Sequence, residues 1–216
     1  MARFGKKYRK AAIMAGILGV LATVTGVLLS GCIHRSGGEW MFKSADLPEG
    51  WPGITPVGKV EVKQYPTYRA ATVTDADIQG EGMNPMFMTL FRHIDRNKIA
   101  MTAPVDMGYT QPEGGQPRMV SMAFLYASTS IGETGTDGKV RIEDLPPATY
   151  LTTGTRGMYT DARFAGGLER LNEWLDANPE WAAAGEPRFL GYNGPLTLWF
   201  LRYGEVQIPV RETTDP

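Results

Sequence analysis

The chain of 216 residues contains one cysteine, Cys32, which excludes an intrachain disulfide and a cysteine-based metal cluster. Five of its 22 basic residues precede an apolar run at the N-terminus, so residues 32–216 carry 17 basic and 23 acidic residues, a net charge of about −6. This acidic balance argues against nucleic acid as a partner.

The N-terminus has the layout of a secretory signal: five Lys and Arg residues precede an apolar run, Ala11–Leu29. The run ends in Leu29-Ser30-Gly31-Cys32, which resembles the bacterial lipobox. We therefore predict a lipoprotein signal peptide over residues 1–31 and a lipid on Cys32. The protein would then be anchored to a membrane of the cell envelope, on the extracytoplasmic side. Because the run is about long enough to span a bilayer, an uncleaved anchor with Cys32 incidental is the alternative.

Residues 32–56 are predicted to form a linker with one docked end, because they are rich in Gly and Pro and have no clear period. Residues 57–216 are predicted to form one domain, which is long enough to enclose a hydrophobic core. Its first segments, Val57–Tyr65 and Tyr68–Val73, alternate apolar and polar residues on either side of Pro66. They predict one long or kinked strand.

A helix is predicted to follow, with Asn84 at its N-cap, Pro85 at its first position and Asn97 at its end. Apolar residues at i, i+3, i+4 and i+7 predict its core face. They are Phe87, Leu90, Phe91 and Ile94.

The rest of the domain is predicted to alternate strands with a second helix. Ile99–Met107 and Met119–Ala127 are predicted as a hairpin, and Ala148–Gly157 as the next strand. Asp161–Ala177 is predicted as the second helix, within which Gly166-Gly167 indicates close packing. The core face of this helix is predicted to be Phe164, Leu168, Leu171 and Leu175. The last two predicted strands are Phe189–Tyr192 and Leu196–Arg202.

This order of elements contains the pattern β-α-β-β twice. It predicts an α+β domain whose sheet curls around a shared core, with both helices on the outside. Known catalytic signatures, including the phosphate-binding loop, the paired-histidine zinc motif and the nucleophile elbow, are missing. We therefore predict a protein that is not an enzyme.

The first helix carries a second stripe beside its core face, bordered by Arg92 and Arg96. Such a stripe could receive a flat apolar ligand with carboxylates, such as heme, whose propionates the arginines would pair. The imidazole of His93 or the thioether of Met86 could bond the iron. The alternative is that His93 is an ordinary helix residue and Met86 fills space in the core. The stripe consists of Met86, Leu90, His93 and Asn97, at i, i+4, i+7 and i+11.

Two strings resemble the signatures of the SOUL heme-binding protein family. They are Asn97-Lys-Ile-Ala-Met-Thr-Ala-Pro-Val105 after the first helix and Gly191-Tyr-Asn-Gly-Pro195 between the last strands; Val62-Lys-Gln-Tyr-Pro66 also fits. The resemblance covers about Val57–Val210. It implies a distorted β-barrel of two β-α-β-β halves with two outer helices, similar to effector-binding domains of bacterial regulators.

The resemblance also implies tetrapyrrole binding beside the first helix, with Tyr192 and Asn193 in a loop over the pocket. The first string has a conformational interpretation as well, with Pro104 at a strand bend and Thr102 bonding the backbone.

Three functions follow from these observations. We expect a monomeric, membrane-tethered binding protein for heme or a related tetrapyrrole. A non-heme small-molecule-binding or envelope interaction module on the same fold is the alternative, favoured if the stripe of Met86, Arg92 and His93 packs against protein. An enzyme acting on a tetrapyrrole or a lipid-like substrate would need a paired acid and base, for which Tyr192 with His93 is the candidate.

Overall fold

The computed structural model divides by its contacts into two units, residues 1–34 and 35–216. The predicted signal peptide and Cys32 lie outside the described residues. No helix in the described part of the chain is long and apolar enough to cross a membrane. Within the predicted linker, β1 (Ile33–Ser36) and β2 (Glu39–Phe42) form a two-stranded sheet. The structure describes residues 33–36, 39–42, 45–78, 83–111, 115–194 and 196–213.

The other ten strands form one antiparallel sheet in the order β3-β9-β12-β11-β5-β6-β4-β8-β7, with β10 paired to β12. No pairing among the described strands joins β3 to β7, so the sheet is open and curled, and the predicted barrel closure is not observed. The strands are β3 (Val60–Tyr65), β4 (Tyr68–Thr74), β5 (Val105–Thr110), β6 (Arg118–Leu125), β7 (Gly135–Asp137), β8 (Val140–Leu145), β9 (Ala148–Arg156), β10 (Trp181–Ala183), β11 (Arg188–Gly191) and β12 (Tyr203–Glu212).

The second helix, α2 (Asp161–Ala177), has the bounds that its periodicity predicts. Thr160 caps it, since its hydroxyl accepts a hydrogen bond from the Arg163 N–H at 3.3 Å. A Cβ at Gly167 would lie 2.5 Å from a methyl carbon of Val206, whereas Gly166 faces open space. The predicted close packing is therefore confirmed at Gly167, where the helix backbone approaches the sheet.

The first helix, α1 (Met83–Arg96), ends where predicted, just before Asn97. Asn84, which was predicted to be the N-cap, lies inside the helix as its second described residue. Its buried face is rotated from the predicted one, because Phe91 is 42% exposed while His93 is buried. The buried side chains are Met86, Leu90, His93 and Ile94.

Both faces of the sheet are covered, as β12 shows. Successive side chains of a strand point to opposite faces. Val206 and Ile208 belong to the apolar core that includes the buried faces of α1 and α2. On the other face, Tyr203 joins an aromatic cluster that contains Trp51 and Ile54 of the segment before β3. The segment before β3 therefore covers the face that the helices leave free.

The predicted strand Ile99–Met107 begins only at Val105. Thr102 Oγ1 donates a hydrogen bond to the Leu125 carbonyl at 2.5 Å, and the peptide bond from Ala103 to Pro104 is cis. The backbone before Val105 is held by individual hydrogen bonds, such as that of Thr102, rather than by pairing with a neighbouring strand. The conformational interpretation of this string is confirmed for Thr102.

The predicted strand Leu196–Arg202 is wrong. This segment contains a single 3-10 turn, Trp199–Leu201, and the strand begins afterwards, at Tyr203. Leu196 is 99% exposed, so the apolar run that suggested a buried strand lies in solvent. The hairpin of β7 and β8 was also missed; its Asp144 lies in β8 and pairs with Arg69 at 2.7 Å.

Candidate ligand-binding site

A cavity of about 320 Å³ opens between the N-terminal end of α1 and the two strings that resemble family signatures. Small-molecule sites commonly enclose about 300–1,000 Å³, so this volume lies at the lower end of that range. The walls come from α1, from residues 101–105, from residues 191–194 and from Ala45. The other lining residues are Met107 of β5, Met122 of β6, Tyr159 just before α2 and Arg202 just before β12.

Most of the lining is apolar and flexible. Phe87 and Val105 contribute an aromatic ring and a branched side chain. Thioether side chains adapt to irregular surfaces and contact aromatic rings favourably. The lining can therefore accommodate a flat apolar ligand in more than one orientation. Four methionines lie in it, namely Met83, Met101, Met107 and Met122.

The second string is held in place by Tyr159. The Tyr159 hydroxyl accepts a hydrogen bond from the Asn193 N–H at 2.9 Å and donates one to the Tyr203 carbonyl at 2.8 Å. The Asn193 side-chain oxygen accepts from the Tyr203 N–H at 2.7 Å. A Cβ at Gly191 would lie 2.9 Å from the Tyr159 ring, so only glycine fits there without a shift. Tyr159 was missed by sequence reasoning because its contacts are all to distant residues.

Tyr192 presents its ring to the cavity, while its hydroxyl is engaged elsewhere. The hydroxyl donates to Glu205 Oε2 at 2.9 Å and accepts from the Trp51 indole N–H at 3.5 Å. Burial, together with the Glu205 carboxylate, raises the pKa of Tyr192 well above its usual value. The phenol therefore stays neutral, which makes it a poor ligand for iron.

Glu205 is completely buried behind the cavity wall. Its carboxylate accepts hydrogen bonds from Lys63 Nζ at 3.1 Å, from Gln207 Nε2 at 2.9 Å and from the backbone N–H of Thr55. A buried carboxylate is tolerated when it is paired and its oxygens are satisfied. This network fixes the position of the Tyr192 ring.

Arg202 is one of the residues that line the cavity. Its Nε donates to the Thr197 carbonyl at 3.0 Å, and Nη1 contacts the Met158 sulfur at 3.7 Å. A planar guanidinium matches the geometry of a carboxylate. Arg202 was missed because its segment was predicted to be a buried strand.

Three of the predicted ligand-contacting residues, Met86, Leu90 and His93, lie inside the protein and not in the cavity. His93 is 4% exposed, and its Nε2 is 2.8 Å from the Tyr126 hydroxyl while its Nδ1 is 2.6 Å from Asp137 Oδ2. His93 lies six positions after Phe87 in the helix, which corresponds to roughly 9 Å along the helix axis. Both ring nitrogens therefore have protein partners away from the cavity.

The predicted arginines do not line the cavity either. Arg92 is exposed, and Arg96 pairs with Asp137 at the other end of α1. Tyr192 and Asn193 do line it, as the resemblance implies. Because His93 contacts Tyr126 and Asp137 while Tyr192 contacts Glu205, the structure does not bring together the acid–base pair that an enzyme was predicted to need.

Among the described side chains, no three or more His, Cys, Asp or Glu residues lie close enough together to hold a metal ion. The site is therefore described by its shape, its apolar lining and Arg202.

Several solved structures are similar to the chain in fold, although no curated protein matches its sequence significantly. The EcmrR C-terminal domain has 18% identity and a TM-score of 0.53, over 72% of this chain and 98% of that chain. An uncharacterized conserved protein from Listeria innocua has 9% identity and a TM-score of 0.53, over 72% and 94%. A hydrolase from Listeria innocua has 9% identity and a TM-score of 0.51, over 73% and 94%.

At these identities the likeness shows the fold alone, an antiparallel sheet with two helices. The family comparison goes further, because the SOUL heme-binding protein family matches residues 54–209, which include the whole sheet apart from the last residues of β12. Both strings that frame the cavity fall within this match. The chain therefore belongs to the SOUL heme-binding protein family.

Proposed function

We propose that the protein binds heme or a related tetrapyrrole in the cavity, at a membrane of the cell envelope to which a lipid on Cys32 tethers it. The observation that carries the proposal is the apolar, methionine-rich cavity framed by both family strings. The acidic balance of residues 32–216 leaves the tether, rather than a basic surface, as the main attachment. The protein acts as a binding protein and not as an enzyme.

The lining fits a tetrapyrrole in two respects. Phe87 and the methionines offer apolar contact to a flat macrocycle, which supplies most of the affinity. Arg202 can pair a propionate carboxylate. Since the cavity is small for such a ligand, part of the macrocycle would extend past Met101, which is 36% exposed at the rim.

Iron coordination by His93 would require its ring to leave Tyr126 and Asp137. We therefore propose that binding does not depend on His93. Among the lining residues, thioethers such as those of Met83 and Met101 are the side chains able to bond heme iron.

A smaller amphipathic ligand with a carboxylate is the second candidate. Met86 and His93 pack inside the protein, which favours the smaller ligand, because the stripe that contains them was the main sequence feature that indicated heme. The cavity volume of about 320 Å³ also suits a ligand smaller than a tetrapyrrole.

A hemin titration of residues 33–216, followed by absorbance, tests the proposal. We expect saturable one-to-one binding, which Arg202→Gln weakens by about tenfold, the equivalent of about 1.4 kcal/mol. Arg92→Gln is the matched control, because Arg92 is exposed away from the cavity. Weak, non-saturating association of hemin would reject the tetrapyrrole and favour the smaller ligand.

The Soret position tests the role of the thioethers. Met101→Leu is expected to shift the Soret band of the complex if this sulfur bonds the iron, while Met88→Leu on the exposed side of α1 leaves it unchanged. Identical spectra for Met83→Leu, Met101→Leu and the parent would show that binding has no fixed thioether ligand.

The tether is tested separately by mass spectrometry of the mature N-terminus after expression in a bacterium. We expect cleavage before Cys32 and a diacylglyceryl adduct on it. A chain that retains residues 1–31 and an unmodified thiol would support the uncleaved anchor instead.

A further inference from the structure

The loop after the second string exposes an unusual run of apolar side chains. Leu196 is 99% exposed, Leu198 58%, Trp199 60% and Phe200 49%. Met158, which is 44% exposed, lies beside this loop because its sulfur contacts Arg202 Nη1. Contiguous exposed apolar side chains mark surfaces that bind a partner. These five residues are called the apolar loop surface below.

Three arginines lie near the apolar loop surface. Arg163 Nε donates to the Met158 carbonyl at 3.1 Å, and the Gly157 N–H donates to the Arg202 carbonyl at 2.8 Å. Arg156 is the β-sheet partner of Tyr203, directly after Arg202. The surface thus has an apolar centre with three arginines close by, although the domain as a whole is acidic.

We propose that the apolar loop surface inserts into the interfacial region of a phospholipid bilayer. Trp and other aromatic side chains favour the level of the lipid headgroups, and Leu and Phe favour the acyl region beneath them. Arginines beside such a surface reach the lipid phosphates.

The cavity lies at the same end of the domain as this surface. Gly194 and Arg202, which flank the apolar loop, both line the cavity. Ala45, the first described residue after β2, lines it as well.

Two consequences follow for the cavity. The cavity then lies close to the bilayer, because Gly194 and Arg202 flank the loop and also line the cavity, so an apolar ligand has a short path between lipid and protein. A tether raises the local concentration of the surface at the membrane, so a contact too weak to hold the free domain there becomes populated. Both consequences rest on the proposed function, the first on its ligand and the second on its tether, whereas contact with lipid does not.

The test uses the full chain with Cys32→Ser, in which a cysteine introduced elsewhere is the only thiol. Leu198→Cys is labelled with an environment-sensitive dye and the protein is reconstituted into phosphatidylcholine–phosphatidylglycerol vesicles, where the uncleaved N-terminal run supplies the tether. Lys139→Cys, exposed between β7 and β8, is the matched control. We expect a blue-shifted dye at residue 198 that headgroup-proximal spin-labelled lipids quench several-fold more than the dye at residue 139.

Equal quenching at residues 198 and 139 would overturn the proposal. A blue shift at residue 198 without quenching by spin-labelled lipid would also overturn it, because the surface would then be covered by protein. Replacing both Trp199 and Phe200 with Ser is expected to abolish the difference between the two dye positions. Hemin absorbance of the same samples reports on the ligand independently, so loss of heme binding and loss of lipid contact are distinguishable.

Discussion

The two ends of α1 differ in what their side chains contact. At the N-terminal end, Met83 and Phe87 line the cavity. At the C-terminal end, His93 and Arg96 bind Asp137 of β7, so this end is attached to the β7–β8 hairpin. The predicted stripe therefore serves core packing and attachment, whereas the cavity is lined by Met83 and Phe87, which lie outside that stripe. Helical periodicity shows which residues share a face but not which neighbour covers each turn.

The largest expected effect lies between the two ends, at Leu90, which has no exposed surface. Leu90→Ala removes apolar contacts and leaves a cavity, so we expect the free energy of unfolding to fall by about 2–5 kcal/mol. Urea denaturation followed by circular dichroism measures this. Arg92→Ala, exposed on the same helix, is expected to change it by less than about 0.5 kcal/mol. Equal losses for both variants would mean that α1 is not held through Leu90.

The next largest effect is expected at the attached end. His93→Ala leaves the buried Tyr126 hydroxyl without its imidazole partner, which we expect to cost about 1–3 kcal/mol of unfolding free energy. Hemin affinity is expected to stay within about twofold of the parent, because His93 lies away from the cavity. A shifted Soret band in the folded variant would restore His93 as an iron ligand and contradict the division of α1.

At the N-terminal end of α1, a substitution is expected to change hemin affinity. Phe87→Ala removes a ring from the cavity lining, and we expect it to weaken hemin binding by about tenfold. Met88→Ala is the control, because Met88 is the next residue and its side chain is exposed. Because Phe87 also packs against Phe124, unfolding must be measured in parallel. If binding is unchanged while stability falls, Phe87 is a core residue and not a ligand contact.

The smallest expected effect concerns acid. Hydrogen bonds from His93 and Arg96 hold the pKa of Asp137 below its usual value. The ionised carboxylate therefore stabilises the fold above the unfolded-state pKa of about 3.9, and this contribution is lost as the pH falls through the lower folded-state value. Asp137→Asn is expected to lower the melting temperature slightly at pH 6 and to flatten its decline towards pH 3. Asp95→Asn, exposed on α1, is the control, and identical curves for all three proteins would contradict the attachment.

Much of the fold follows from the sequence because its strongest signals are local. The periodicity of Asp161–Ala177 and the Pro after it define α2. The one long or kinked strand predicted across Pro66 is wrong, because β3 and β4 are separate strands that pair with different neighbours. The strand predicted at Leu196–Arg202 fails because an apolar run predicts burial only if a neighbouring strand covers it. No such neighbour pairs with this segment in the described sheet.

The site is only partly predictable for the same reason. Tyr192 and Asn193 are found through a string that is continuous in the sequence. Tyr159 and Arg202 come to the cavity through contacts with residues more than 30 positions away, including Asn193 and Met158. Nothing in their local sequence marks them, so only the folded chain identifies them.

The segment before the family match contributes to the wall of the cavity and to the core beside it. The Ala103 N–H donates to the Asp46 carbonyl at 2.8 Å, Trp51 lies edge-on to Tyr65 at 4.8 Å between ring centroids, and Ala45 lines the cavity. Selectivity can therefore diverge between members of the family through changes in these residues, without mutation of the shared sheet. A chimera that exchanges only residues 54–209 between two members would carry a binding site with one foreign wall.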